Sequence, residues 1–401
     1  MDIQQLEKFC INGREEWNEY IKLLLYKYDE SIFDKIDYYD DTIYYNPLLF
    51  AFFSNNSDVN SNNQLLDLIL YSSLNQKPNL NLHFGKSDII YIPNIGWLKK
   101  TDDTLEPINF EALKVSNIEQ LQFIENTNIE LLKHNVDLLK QFYGDNPIEI
   151  TKITEIQTKN ISRAYEIIKS YVPEYFNLIN QFCPKNVIYK TEPNKVNSFA
   201  QIGALGIAFF NASQKSYDEV FFIEDIAHQT GHVLLYTILY NKTKFFLVDD
   251  ENTFIQDFSN GYKNDFDKRT VEIWLHSLFT QYLILTYMDA SIEAKVFNKY
   301  QEHEAYGRLL FYIYKIHRDL SVFCNPNEEE KLFDLINPNK SYKIDLSDTI
   351  LTNDGMFLFN GIQNKWNKMF NKHYPKLKHL NLKGQIYTFN FDMFLDANPL
   401  S

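Results

Sequence analysis

Glycine and proline are scarce in this sequence, 12 of each in 401 residues. So few backbone breakers argue against a turn-rich sandwich or barrel and for long helices. Cysteine is nearly missing: Cys10, Cys183 and Cys324 stand alone and form no CxxC pair, which reads as small buried thiols in a reducing cytosol. An excess of positive charge is missing too. The formal charge of -14 and pI near 5.2 argue against sequence-independent binding to DNA or RNA, which needs a basic surface to displace counterions. A cationic peptide segment is a more natural partner. No run reaches about 18 apolar residues, and the first residues, MDIQQLEKFCINGREEW, carry charge where a signal peptide needs an apolar stretch. A cytoplasmic, soluble protein with no nucleic-acid or membrane partner is expected.

What is present is globular material. The chain is 45% hydrophobic and 23% charged, with 27 Tyr and 32 Phe, enough for one large domain or two intimate ones. The first third mixes helix-like text such as NNQLLDLILYSSL with a Tyr-rich stretch, IDYYDDTIYY, and a strand or two in SDIIYIPNIGWLKK. From about Ile108 the spacing predicts helix through FEALKVSNIEQLQFIENTNIELLKHNVDLLKQF. A further helix, ISRAYEIIKSYVPEYFNLINQF, carries Pro173 as a kink or break. NVIYKTEP and ALGIAFFNAS then read as short strands, and SYDEVFFIEDIAHQTGHVLLYTILY as a helix. Three more helical segments follow, around TVEIWLHSLFTQYLILTYM, EAYGRLLFYIYKIHRDL and GMFLFNGIQNKWNKMF. The fold class expected is mainly α with a small β element (α+β), with an unassigned region over 1–150 and a helical core over 151–401. No GxGxxG, P-loop or internal repeat occurs.

The stretch IAHQTGHV carries the chemistry. At about 100° per residue, Glu224, Asp225, His228, Gln229 and His232 fall on one arc of roughly 140°. The rest of that helix is apolar and must be buried, so its polar seam needs partners. His228 and His232, at i and i+4, share a face and have the spacing that lets two imidazoles reach one metal. A pair of hydrogen-bonded core histidines is the competing assignment. Gly231, which weakens a helix interior by about 1 kcal/mol, points to something packed close against the turn. The candidate third ligand is His276: Arg269, Glu272, His276 and Thr280 share an arc of roughly 80°, and two such stripes on buried helices are best explained if they face each other.

Gln229 decides between chemistries. In an HExxH hydrolase the glutamate takes a proton from metal-bound water, and a glutamine amide cannot. An oxygenase does not need that base: iron(II) with open positions can take a 2-oxo acid and O2. Gln229 and Glu272 are the candidate catalytic residues beside the histidines.

ALGIAFFNAS, FFIEDIAHQTGH, KRTVEIWLHSLF and ILTNDGMFLFNGI, in that order over roughly residues 160–365, resemble the HExxH-type α-ketoglutarate-dependent peptide β-hydroxylases of ribosomal natural-product pathways. The correspondence runs through Gly206, the histidine pair, Arg269 before Leu275-His276, and Leu351-Thr352 with Gly355. The resemblance implies Fe(II) held by His228, His232 and His276, α-ketoglutarate as cosubstrate, and a ribosomal precursor peptide as substrate, with other peptide-maturation enzymes as further partners. Two features depart from the family: Gln229 replaces its glutamate, leaving three neutral ligands unless Glu272 or Asp225 supplies a carboxylate, and FDKRTVE replaces a proline-rich context. An arginine fork suits the distal carboxylate of α-ketoglutarate, with Arg269 the first candidate and Arg308 the second. An ordinary ion pair with a neighbour such as Glu272 or Glu304 is the alternative for each. His83, His134, His303, His317, His373 and His379 read as surface or capping residues. The acidic NPNEEEKLFD reads as a solvated loop, and FLVDDENTF as a loop at a substrate entrance. A catalytically silent relative that binds a peptide or partner enzyme, and a zinc hydrolase using Glu224 or Glu272 as base, are the other function classes.

Overall fold

The computed structural model describes the chain except residues 55–62, 79–80, 83, 85–87, 101–107, 110–117, 193, 215–216, 259–268, 324–340, 386–387 and 401. Helices in its first half are α1 (Ile3–Tyr28), α2 (Asp41–Tyr44), α3 (Pro47–Ser54), α4 (Asn63–Leu70), α5 (Thr151–Tyr171) and α6 (Pro173–Phe182). The second half holds α7 (Glu219–Ile238), α8 (Val271–Glu293), α9 (Lys299–Ser321), α10 (Asn353–Leu377) and α11 (Phe391–Ala397). Strands are short: β1 (Asn81–Leu82), β2 (Ile89–Ile92), β3 (Gly96–Lys99), β4 (Ile108–Asn109), β5 (Ile118–Glu119), β6 (Glu130–Leu131), β7 (Lys185–Tyr189) and β8 (Ile207–Asn211). The protein is mainly helical with small sheets, and none of its described helices is long and apolar enough to cross a membrane.

Two compact units interleave along the sequence: residues 11–159 with 180–215, and residues 1–10 with 160–179 and 216–401. The first unit holds the sheets. β2, β3 and β5 form an antiparallel meander, and β6, β7 and β8 a parallel sheet whose last two strands pair Lys185 to Ile207 and Tyr189 to Asn211. Every residue of β7 and β8 is buried, as strands covered on both faces should be. Cys183 is a buried thiol that burial pushes up to about 12, and Cys10 is buried as well. Cys324 and His83 lie outside the described residues.

The helix expected from Ile108 to Phe142 does not form in its described residues. Those residues give β4, β5, β6 and a 3-10 turn over Asp137–Tyr143. Asn126 takes a left-handed φ of 58°, Thr127 N–H donates to the Ile124 carbonyl, and Ile124 pairs back to Ile129. Apolar residues at three and four spacing fit this tight turn as well as a helix, and Asn and Thr supply the turn chemistry. Pro173 does end α5, and it opens α6, where a missing N–H costs nothing.

The second unit is a helical assembly in which α7 packs on α8, α8 on α9 and α10, and α9 on α10. Trp274 and Trp366 are fully buried, and their indole N–H groups donate to the carbonyls of Asp319 and Ile313. Asp289 of α8 ties α10 down, accepting from Lys372 at 2.6 Å and His373 at 2.8 Å. Burial alone would raise its pKa, but the hydrogen bonds from His373 and Lys372 outweigh that and hold it at about 2. A carboxylate with a folded pKa below its unfolded value stabilises above the unfolded value and loses that contribution as pH falls through the folded one. Wild type is therefore expected to lose about 2 kcal/mol from this group between pH 5 and pH 2. Asp289→Asn should flatten that part of a stability-against-pH profile measured by urea unfolding.

Candidate metal centre

Asp218 caps α7 by accepting from the Val220 N–H at 2.9 Å, and Thr270 caps α8. Both helices are buried along almost their whole length, so their polar residues can only meet one another or line a recess. They meet. His232 Nδ1 lies 3.2 Å from His276 Nδ1. The His228 ring stacks on His232 with centroids 5.1 Å apart, and Tyr236, one turn further on, lies tilted against His276 with centroids 4.5 Å apart. Three imidazoles and a phenol thus form one column built from two helices.

Gly231 makes this approach possible. A Cβ there would stand 3.0 Å from Leu283 Cδ1 and 3.3 Å from Thr280 Cα, so α8 rests directly on the α7 backbone one residue from His232. Gly231→Leu is expected to cost about 1–3 kcal/mol through overpacking, seen as a lower thermal midpoint, and to push His232 away from His276.

Burial dominates the electrostatics. It lowers His228 to about 3, helped by the Lys315 charge, lowers His232 to about 3, and takes His276 well below the usual histidine range. All three are neutral at physiological pH, the form a metal needs. His228 and His232 nonetheless keep part of their surface accessible, whereas His276 is 5% exposed. Solvent-sized space therefore lies against the first two rings. His276 Nε2 is buried with no hydrogen-bond partner and stands 3.9 Å from Glu272 Oε1. An orphaned buried polar atom of this kind costs about 1–3 kcal/mol unless something fills the position.

These residues fit a metal ion in type and in protonation, and in adjacency only His232 and His276 do. Two nitrogens bound tetrahedrally to one ion at about 2.0–2.1 Å lie roughly 3.3 Å apart, close to the His232–His276 separation. Among the described residues no group of three or more His, Cys, Asp or Glu side chains is already arranged to hold an ion. Binding would require the His228 ring to leave its stack on His232, a rotamer change.

The other expected site residues are engaged elsewhere. Gln229 donates to Asp225 Oδ1 at 2.9 Å. Glu272 pairs with Lys242 at 2.9 Å, which also reaches Glu251 at 2.5 Å and Asp250 at 3.4 Å. Arg269 lies just outside α8 and forks onto Asp319 of α9, at 2.8 and 3.0 Å, and not onto Glu272. Arg308 is 3% exposed and is held by Glu304 on its own helix and by Glu224 of α7. Tyr312 also donates to Glu224.

These contacts show a third polar stripe that the sequence reading missed. Glu304, Arg308, Tyr312, Lys315 and Asp319 recur at three and four spacing along apolar α9, the same signal that singled out α7. Lys315 is 9% exposed, its ammonium 5.4 Å from the Phe311 ring centre, and burial brings its pKa down to about 8.

Leu351-Thr352 and Gly355 are clasp residues. Thr352 caps α10, its N–H donates to the Phe245 carbonyl and its hydroxyl to the Lys244 carbonyl. A Cβ on Gly355 would lie 2.2 Å from the Phe245 carbonyl oxygen, so only glycine admits the loop that follows α7. That loop, over FLVDDENTF, is then pinned to the start of α8 by Glu272 N–H donating to the Asp250 carbonyl. Two histidines read as surface residues are core residues: His317, paired with the Tyr342 hydroxyl at 2.6 Å, and His373. NPNEEEKLFD lies outside the described residues.

No protein-family model matches the chain, and no curated protein matches it.

Proposed function

We propose that this chain is an iron(II)- and α-ketoglutarate-dependent oxygenase that oxidises a side chain of a ribosomally made precursor peptide, with His228, His232 and His276 as the metal-holding residues. The observation that carries the reading is the pairing of His232 Nδ1 with His276 Nδ1 across two helices, next to a third neutral imidazole. The order of the motifs around these residues supports the peptide as substrate, and the net charge of -14 suits a cationic segment. Iron(II) with α-ketoglutarate and O2 would supply the oxidising chemistry, one oxygen atom going to succinate as CO2 leaves and the other to the peptide carbon.

The protein's own residues have limited parts to play. Gln229 supplies no general base, and its amide serves to fix Asp225. Arg269 and Arg308, the candidates for the cosubstrate's carboxylate, are held by protein carboxylates and would have to exchange those partners for it. The described residues' lack of a ready three-ligand set favours a second reading, a peptide-binding relative without catalysis.

The test is incubation of iron-loaded protein with α-ketoglutarate and the short peptides encoded beside its gene. The oxygenase forms succinate only with one such peptide present and adds one oxygen to its mass. Binding of the peptide without succinate supports the second reading. Proteolysis switched on by Gln229→Glu contradicts both.

A further inference from the structure

We propose a second binding site, for a small organic anion with an apolar body, in the cavity between the end of α8, the start of α9 and the end of α10. The cavity measures about 770 Å³, within the range of sites that enclose a small ligand. None of the three metal-seam histidines lines it, so it stands or falls apart from the oxygenase reading.

Lys295, Lys372 and Lys376 line the cavity together with Glu293 and Glu302, and Asp289 behind Lys372 balances the third lysine. Lys372 already serves Asp289 at 2.6 Å and Glu293 at 2.9 Å. Lys295 and Lys376 are exposed and paired with no carboxylate among the described residues, so they are the cations an entering anion would meet.

The walls are held in place before any ligand arrives. His373 is 5% exposed, and its Nε2 donates to Asp289 at 2.8 Å. His303 donates through Nε2 to the Asn398 carbonyl at 2.7 Å, which leaves its other nitrogen as an acceptor. Side chains of Ile292, Leu377, Leu380 and Leu400 supply the apolar remainder of the lining. A bare inorganic ion would leave that apolar surface uncovered, and a purely apolar ligand would strand the lysines.

The backbone around the cavity also departs from its ordinary preferences. Lys295, just past the end of α8, takes a left-handed φ of 55°, a position that glycine or asparagine fills more easily. Pro375 sits inside α10, where it removes a helix hydrogen bond. Lys295 lines the cavity, and a residue held against local strain marks a candidate functional position.

Calorimetric titration of the full chain with phenyl phosphate and with phenylpyruvate tests this. One saturable site per chain is expected for at least one of them, weakened at least tenfold when inorganic phosphate or phenethylamine replaces it. Lys295→Glu with Lys376→Glu should weaken it tenfold or more with an unchanged circular dichroism spectrum, while His276→Ala leaves it unaltered. No saturable binding of either probe, binding indifferent to the lysine substitutions, or binding lost in His276→Ala would each overturn the proposal.

Discussion

Arg308→Ala is expected to cost about 3–5 kcal/mol of folding stability, a large part of the total for a unit of this size. Arg308 is 3% exposed and bridges Glu304 on its own helix to Glu224 on α7. Removing it leaves two carboxylates buried together without a cation, and Glu224 keeps only the Tyr312 hydroxyl among these partners. Burial already pushes Glu304 up from the ordinary glutamate range even with Arg308 present. The variant should be most destabilised at neutral pH and recover partly in mild acid, where the carboxylates protonate. Urea unfolding at pH 5 and pH 7 checks both the size and the sign. Arg308→Lys should recover only part of the loss, since an ammonium cannot reproduce the fork.

His276→Ala is expected to remove metal binding and peptide-dependent succinate formation down to background. Outer-shell changes around metal sites cost roughly 10–100-fold in affinity, so loss of a ligand should exceed that range. The substitution deletes a buried nitrogen that has no partner but also the Nδ1 that pairs with His232, so some loss of stability short of unfolding is expected. Circular dichroism and a thermal midpoint well above the assay temperature would separate loss of a ligand from loss of structure. His317→Ala is the informative contrast. That residue is also a buried histidine, but it is held by Tyr342 and stacks on Trp366, so its loss should lower stability without touching metal content.

Much of the helical unit was legible because its helices are long and nearly free of breakers. α7, α8, α9 and α10 fall where the periodicity put them, with Pro173 dividing α5 from α6. The facing of the two polar stripes holds at one point, where His232 meets His276; Glu224 and Arg269 turn to α9 and Glu272 to Lys242. What periodicity could not resolve was the region after Ile108. There the hairpin closed at Asn126 depends on contacts between short strands, which leave no strong local pattern. The interleaving of the two units was hidden for the same reason: residues 1–10 and 160–179 join the helical unit through packing partners distant in sequence.

The arginines show a different limit. Sequence placed Arg308 on its helix, and Arg269 on a helix that in fact begins two residues later, but could not say which carboxylate each would meet. Asp319, which takes Arg269, lies 50 residues away, and Glu224, which takes Arg308, lies 84 away. Lys315 went unnoticed because a lone lysine in an apolar helix reads as a snorkelling surface residue, and only its packing shows it to be interior.

The central claim is that three neutral imidazoles from α7 and α8 hold one metal ion. The direct measurement is iron content per chain after anaerobic loading with Fe(II) and desalting, for wild type and for His228→Ala, His232→Ala and His276→Ala. The account predicts close to one iron per wild-type chain and loss of most of it in each of the three variants. Wild type that retains no iron, or iron retained undiminished when any one of these histidines is removed, would contradict it.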